Sequence, residues 1–350
     1  MGKLWQRSLD DDNQPRLQQV DLSGLRISRP SVFFLTGFFT YDNTPQNIHS
    51  ALSTMEKMMA RRPGKQPPVD VYAWSHSGLK EVFNLAAYNA VPNHRSSHNG
   101  YDVARGIIMP LVADNFKMGA DGEPAGTPLP LEDARRNLRN VTFFGYSAGT
   151  ITAQETYNAA LKMMKKIGYS EKDAKTALGE VVLVGAAVMS RPGRERDRFT
   201  TLYMEANNDR LVKIKNRLWA PLRAMFAWCA HRLKVEPLSD RSVLISAAVQ
   251  KRGFKTEDTG DKTLQEKFNA LVRKRFPIKS YHELPRYVTE DEHLSSFARI
   301  VQYGLTNAVN RNGPVTPLDL LEPPKGVPAP EAHSFREKIA KARLHPKRVY

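Results

Sequence analysis

The stretch Val141-Thr142-Phe143-Phe144-Gly145-Tyr146-Ser147-Ala148-Gly149-Thr150 decides how the chain is read. Apolar and β-branched residues lead into Gly-x-Ser-x-Gly, and the run Ile151 to Ile167 leaves it at helical spacing, so the pattern is strand, sharp turn, helix. Glycines on either side of the serine suit a turn in which strand and helix cross too closely for a Cβ. The serine then occupies a strained backbone position, and its hydroxyl is pushed out of the fold. The Ala148 N–H falls at a helix N-terminus, where unpaired amides and the helix dipole favour negative charge. A tight turn with an inert serine is the bland alternative, and the strand before and helix after weigh against it.

Outward from this turn, Ser31-Val32-Phe33-Phe34-Leu35-Thr36-Gly37 is a short apolar run closed by glycine, as in a strand buried on both faces. Thr44 and Pro45 form an N-cap and first-turn pair, and Ile48, Leu52, Met55 and Met59 follow at helical intervals. Further strands are expected at Val69 to Trp74, Glu180 to Val188 and Arg198 to Met204. Helices are expected over Tyr101 to Phe116, kinked at Pro110, and over Lys172 to Leu178, with a Gly- and Pro-rich loop from Gly119 to Pro130. This alternation predicts an α/β fold with a mainly parallel central sheet, right-handed crossovers and helices on both faces.

Between Leu211 and Leu233 apolar residues again recur at helical intervals, and residues 240–252 and 263–275 read as further helices. Residues from about 211 to 276 are therefore expected to form an inserted helical cap, longer than an α/β connection needs. The organisation that follows is an N-terminal arm or edge element over residues 1–30, a core over 31–305 that carries the insertion, and a Pro-rich, basic tail over 306–350. Periodicity fades beyond Gly304. Glu331 to Tyr350 carries a basic amphipathic pattern suited to a partner or an anionic membrane, or to a plain solvated end.

With 350 residues and 41% hydrophobic content, the chain can bury one large core or two small ones. The lone cysteine, Cys229, excludes an internal disulfide and fits a reducing compartment. The start lacks a secretory apolar region, and no run of about eighteen apolar residues occurs, so a soluble cytoplasmic protein is expected, with signal-independent export left open. Gln6 stands where N-myristoylation wants Ser or Thr. The net charge of +16 suits an anionic partner or simply a solvated surface, and no nucleic-acid-reading motif accompanies it. His94 and His98 lie four residues apart with no third ligand nearby, so no metal site is expected.

Strand, Gly-x-Ser-x-Gly and helix in this context resemble the nucleophile elbow of the α/β-hydrolase superfamily, which includes serine esterases and lipases. The resemblance covers about residues 31 to 305 in element order. It implies Ser147 as nucleophile, followed along the chain by a triad acid and a histidine base. Asp209, in the polar turn after Thr201 to Met204, resembles the triad acid and could equally cap the helix starting near Leu211; Glu205 is the alternative acid. His293, just before the apolar face of Leu294, Phe297, Ala298 and Val301, resembles the loop histidine that precedes a closing helix. His282, in Ser280-Tyr281-His282-Glu283, resembles the strand-end histidine of monoacylglycerol-lipase-like members.

His293 is preferred because Tyr287-Val288 can end the last strand just upstream of it, although Thr289 with Glu292 as a capping box would make it a plain helical residue. The oxyanion donors implied are the N–H groups of Ala148 and Phe38, the latter in Thr36-Gly37-Phe38-Phe39, where Thr36 replaces a histidine common in the family. The implied reaction is hydrolysis of carboxylic esters or thioesters through an acyl-enzyme, with no cofactor and no metal. Phe38, Phe39, Tyr146, Trp219, Met225 and Trp228 would suit the apolar acyl group of a small-molecule or lipid ester, unless they are ordinary core residues. From a different class, a non-catalytic protein on the same fold would use its basic surface to bind an anionic membrane or a protein partner. Nothing in the sequence sets the oligomeric state.

Overall fold

The computed structural model describes residues 2–9, 15–37, 45–60, 69–75, 98–188, 198–206, 234–247, 287–288 and 296–323. The strands are β1 (Lys3–Leu9), β2 (Pro15–Val20), β3 (Ser31–Leu35), β4 (Asp70–Ser75), β5 (Ala113–Met118), β6 (Pro124–Pro128), β7 (Val141–Tyr146), β8 (Val182–Ala186), β9 (Thr200–Ala206), β10 (Lys234–Ser239) and β11 (Ser242–Ala247). The helices are α1 (Pro45–Ala60), α2 (His98–Val103), α3 (Met109–Val112), α4 (Leu131–Leu138), α5 (Gly149–Lys166), α6 (Glu171–Leu178) and α7 (Ser296–Val309).

Nine of these strands form one sheet in the order β10-β11-β9-β8-β7-β3-β4-β1-β2. The six from β11 to β4 run parallel, and β10, β1 and β2 are added at the two edges by antiparallel pairing. β3 is apolar on both faces, which only a central strand covered on both sides can bury. Phe33 and Leu35 point into one core with Phe143, Leu183 and Tyr203, packed under α2, α5 and α6. Val32 and Phe34 point the other way, joining Phe144, Val184 and Met204 under α1 and α7. The structure is thus α/β, with a large, mostly parallel sheet and helices on both of its faces.

Several elements differ from the sequence expectation. Residues 240–252, expected to be helical, hold β11, whose Ser242–Ala247 ladder runs parallel to Thr201–Ala206 of β9. Ser-Val-Leu-Ile-Ser is short, and period alone cannot separate a buried strand from a helix turn in such a run; Val243 and Ile245 decide it by burying on the α1 and α7 face. Part of the segment expected as a helical cap is therefore sheet, while residues 207–233 and 248–286 lie outside the described residues.

The expected helix Tyr101 to Phe116 is cut short. Pro110 has no N–H to donate, and the turn before it widens into a π-helical stretch, Ala104–Ile108; the chain then leaves α3 as β5, which pairs with β6. The described residues of the 1–30 segment form an edge element rather than a loose arm, since β1 joins β4 and buries Leu4. At the other end α7 continues past Gly304 to Val309, and Leu320 and Leu321 are fully buried. Tyr287–Val288 is a turn and bend, not the end of a strand. Among the described residues no helix is long and apolar enough to cross a membrane.

At the amino end of the parallel strands, buried Glu180 holds two arginines from α4 and its C-cap: Arg135 Nε donates to Oε1 at 2.7 Å and Arg139 Nε to Oε2 at 2.9 Å. Arg311, which follows α7, inserts beside them. Its guanidinium donates to the carbonyls of Ala308 (2.8 Å), Val141 (3.0 Å), Glu180 (3.1 Å) and Arg139. Burial brings the Arg311 pKa down to about 10, so it stays charged at neutral pH. Burial raises the Glu180 carboxyl, but hydrogen bonds and charge from Arg139 and Arg135 outweigh that and hold it below its ordinary value of 4.5.

Removal of this carboxylate as Glu180→Ala deprives Arg139 of its carboxylate and leaves Arg135 only Glu132, and is expected to cost about 3 kcal/mol at pH 7. With a folded-state pKa below the unfolded value, the contribution is complete above pH 4.5 and disappears as pH falls through the lower folded value. Denaturant unfolding of wild type and variant should therefore draw together as pH falls below 4.5, and a stability gap that is indifferent to acidification would contradict the assignment.

Candidate active site

β7 ends at Tyr146 and α5 begins at Gly149, which leaves two residues, Ser147 and Ala148, to reverse the chain. Ser147 adopts φ 53°, a left-handed conformation that costs a residue with a Cβ about 1–2 kcal/mol. The surroundings hold it there. Its N–H donates to the Ala186 carbonyl of the neighbouring strand at 3.0 Å, and its carbonyl accepts from both the Thr150 N–H (3.1 Å) and the Thr150 Oγ1 (2.6 Å). A Cβ on Gly149 would stand 1.9 Å from the Leu35 carbonyl oxygen, and one on Gly145 would stand 3.1 Å from the Gly149 oxygen. Strand β3, strand β7 and helix α5 thus meet backbone to backbone, and Ser147 is the residue left between them.

The position in the sheet is informative. From β3 the chain moves to β4 on one side, and it later returns to β7 on the other, so the crevice between the carboxyl ends of β3 and β7 is a topological switch point. In open α/β sheets ligands bind in such crevices, because the connections leave it in opposite directions. Gly37, two residues past β3, lines it: a Cβ there would lie 3.1 Å from the Ser147 Cβ. Ser147 is 9% exposed. Ala187, just past β8, is also left-handed at φ 49°, so two strained residues sit at adjacent strand ends.

The structure brings Ser147, Ala148 and Gly37 together. Glu205 lies in β9, one position beyond the Ala186–Met204 pair. With β8 between them, β9 and β7 are about 10 Å apart, too far for Glu205 to touch the serine directly. Phe38, Asp209, His282 and His293 lie outside the described residues, as do Phe39, Trp219, Met225 and Trp228. Tyr146, expected as a wall for an acyl group, is instead fully buried and packs its ring 6.1 Å from that of Tyr287, so it belongs to the core. Tyr287 in turn lies 5.6 Å from Phe297 of α7. Among the described residues no three His, Cys, Asp or Glu side chains converge where they could hold a metal ion.

Sequence reasoning missed three features here: the Thr150 hydroxyl bond to Ser147, the left-handed Ala187, and the Tyr146–Tyr287–Phe297 chain. Thr150 follows the motif directly, so a threonine at the first turn of a helix was the available signal. Ala187 stands in an unbroken apolar run that offered none.

The strain at Ser147 can be measured without reference to activity. Glycine is normally about 0.5–1 kcal/mol less stable than alanine in an ordered element. Here Ser147→Gly should be more stable than Ser147→Ala by about 1 kcal/mol, because only the glycine relieves the left-handed backbone while both lack the hydroxyl. Chemical denaturation of the two variants reads the sign, and an alanine variant of equal or greater stability would refute the strain. Neither the family models nor the curated proteins compared with this chain contain a match to it.

Proposed function

We propose that the chain is a serine hydrolase of the α/β-hydrolase type that cleaves carboxylic esters or thioesters. The observation that carries this reading is the left-handed Ser147, held between Gly145 and Gly149 at the sheet's switch point with Gly37 against it. Strained backbone of this sort persists only where surrounding contacts over-determine it, and it clusters at sites of chemistry.

In the reaction, Ser147 Oγ attacks the acyl carbonyl carbon while the His293 imidazole takes its proton. The carbonyl π pair moves onto oxygen, and the N–H groups of Ala148 and Phe38 receive the oxyanion. Collapse expels the alcohol or thiol, which takes the proton back, and water then repeats the sequence on the acyl-enzyme to release the acid and free Ser147. Asp209 orients the imidazole, with Glu205 as its alternative. Support for His293 over His282 comes from its described neighbours: Tyr287 upstream packs on Tyr146, the residue before the nucleophile, and on Phe297 downstream. The +16 charge supports an anionic surface, such as an acidic membrane, as the place where a lipid ester would be met.

A fluorophosphonate probe should label the folded protein at Ser147, and Ser147→Ala should abolish labelling and lower p-nitrophenyl ester hydrolysis by about 10⁴-fold or more. Of His293→Ala and His282→Ala, only the first is expected to match that loss. Absent labelling of folded wild type would replace this reading with a non-catalytic binding protein on the same fold.

A further inference from the structure

The hydroxyl of Thr150 has no place in the reaction above, yet it makes a short hydrogen bond in the turn, donating from Oγ1 to the Ser147 carbonyl oxygen at 2.6 Å. The same oxygen accepts from the Thr150 N–H at 3.1 Å. Thr150 is fully buried, so its hydroxyl is shielded from solvent. Its methyl Cγ2 lies 3.4 Å from where a Cβ on Gly185 of β8 would stand, and a β-branched side chain wedged in this way has little rotamer freedom.

The Ser147 carbonyl and the Ala148 N–H belong to one peptide unit, which is planar, with the two groups pointing in opposite directions when trans. Two donors on the oxygen therefore fix the direction of the amide as firmly as a bond to the amide itself. With the carbonyl drawn inward over the first turn of α5, the Ala148 N–H is aimed outward. It finds no acceptor among the described residues. The first turn gives it no competing partner, since the residue that could reach back to it, three positions on, is Ile151, which has no side-chain acceptor.

We propose that Thr150 is a positioning residue whose hydroxyl, by clamping the Ser147 carbonyl, aims the Ala148 N–H at the developing oxyanion. This rests on the hydrolase reading and names a residue that reading does not require. With the second donor gone, the peptide plane is free to rock about its neighbouring bonds. A displaced donor loses strength against the transition state while substrate binding, which does not depend on it, is unaffected.

The test is the kinetics of inactivation by a fluorophosphonate, whose phosphoryl oxygen takes up negative charge as Ser147 attacks phosphorus and fluoride leaves. Thr150→Val keeps the shape and removes the donor, and Thr150→Ser keeps the donor and removes the methyl. In Thr150→Val the maximal rate of inactivation should fall by about 10- to 100-fold with the inhibitor's half-saturating concentration unchanged, whereas Thr150→Ser should stay within about threefold of wild type. Should the valine variant fail to fold, Thr150→Ala against Thr150→Ser isolates the same hydroxyl. Wild type that is folded but not inactivated overturns the hydrolase reading and this inference with it. Inactivation of wild type together with an unimpaired valine or alanine variant, or with equal losses in the serine variant, overturns the role of Thr150 alone.

Discussion

The contact on which the rest depends is the approach of α5 to the end of β3. At Gly149 the helix backbone lies so close to the Leu35 carbonyl that a Cβ would overlap it, at 1.9 Å. That closeness fixes where the helix starts relative to the sheet. β7 lies next to β3 and must deliver its chain to the same point, so only Ser147 and Ala148 remain to make the turn. An extended or right-handed serine would send the helix elsewhere. The left-handed φ of 53° is the consequence, and the hydrogen bonds to Ala186 on one side and from Thr150 on the other spread the strain into β8 and α5.

The two ends of the parallel strands are built on different principles. At the amino end Glu180, Arg135, Arg139 and Arg311 tie α4, the start of β7 and the approach to β8 together, with Arg311 donating to main-chain carbonyls of Val141 and Glu180. This keys β7 against β8 in register, because a slip by one residue would turn every buried side chain to the wrong face. At the carboxyl end the chain carries glycines, two left-handed residues and a crevice. Strain there cannot relax by sliding the strands while the amino end is locked. A site held to within fractions of an ångström needs such support from beyond its own residues.

Much of the central fold was legible because its signals are local. β3, β7 and β8 are apolar runs bounded by turn residues, α1 and α5 repeat apolar positions at helical spacing, and Gly168, left-handed at φ 114°, marks the end of α5 as read. What was lost depends on partners far along the chain. β11 is a strand because β9 offers it a parallel edge, a fact no window around Val243 contains. Arg311 looks like any basic residue after a helix, since the carbonyls it serves belong to Val141 and Glu180. The candidate site divides the same way: the turn around Ser147 could be read from ten consecutive residues, whereas Asp209, His293 and His282 were chosen from order along the chain, and order does not measure distance.

The start of α5 also departs from what stability alone would select. Alanine is among the poorest N-caps, and Ala148 leaves α5 without a side-chain cap, whereas α6 is capped by Ser170, whose hydroxyl accepts from the Asp173 N–H at 3.0 Å. The missing cap forgoes about 1 kcal/mol, on top of about 1–2 kcal/mol for the left-handed serine beside it. Two adjacent residues thus break two separate local rules at the amino end of a helix that is otherwise well packed, with Ala153, Ala160 and Met164 fully buried. The Thr150 and Ile151 N–H groups, which a capping side chain would take, donate instead to the Ser147 and Ala148 carbonyls at 3.1 and 2.9 Å, whereas the Ala148 N–H has no acceptor among the described residues and stands next to a hydroxyl held in a strained turn. The strained serine and the outward Ala148 N–H beside it thus place a hydroxyl and an unsatisfied donor together at one strand end, the pairing on which the proposed hydrolase reading draws.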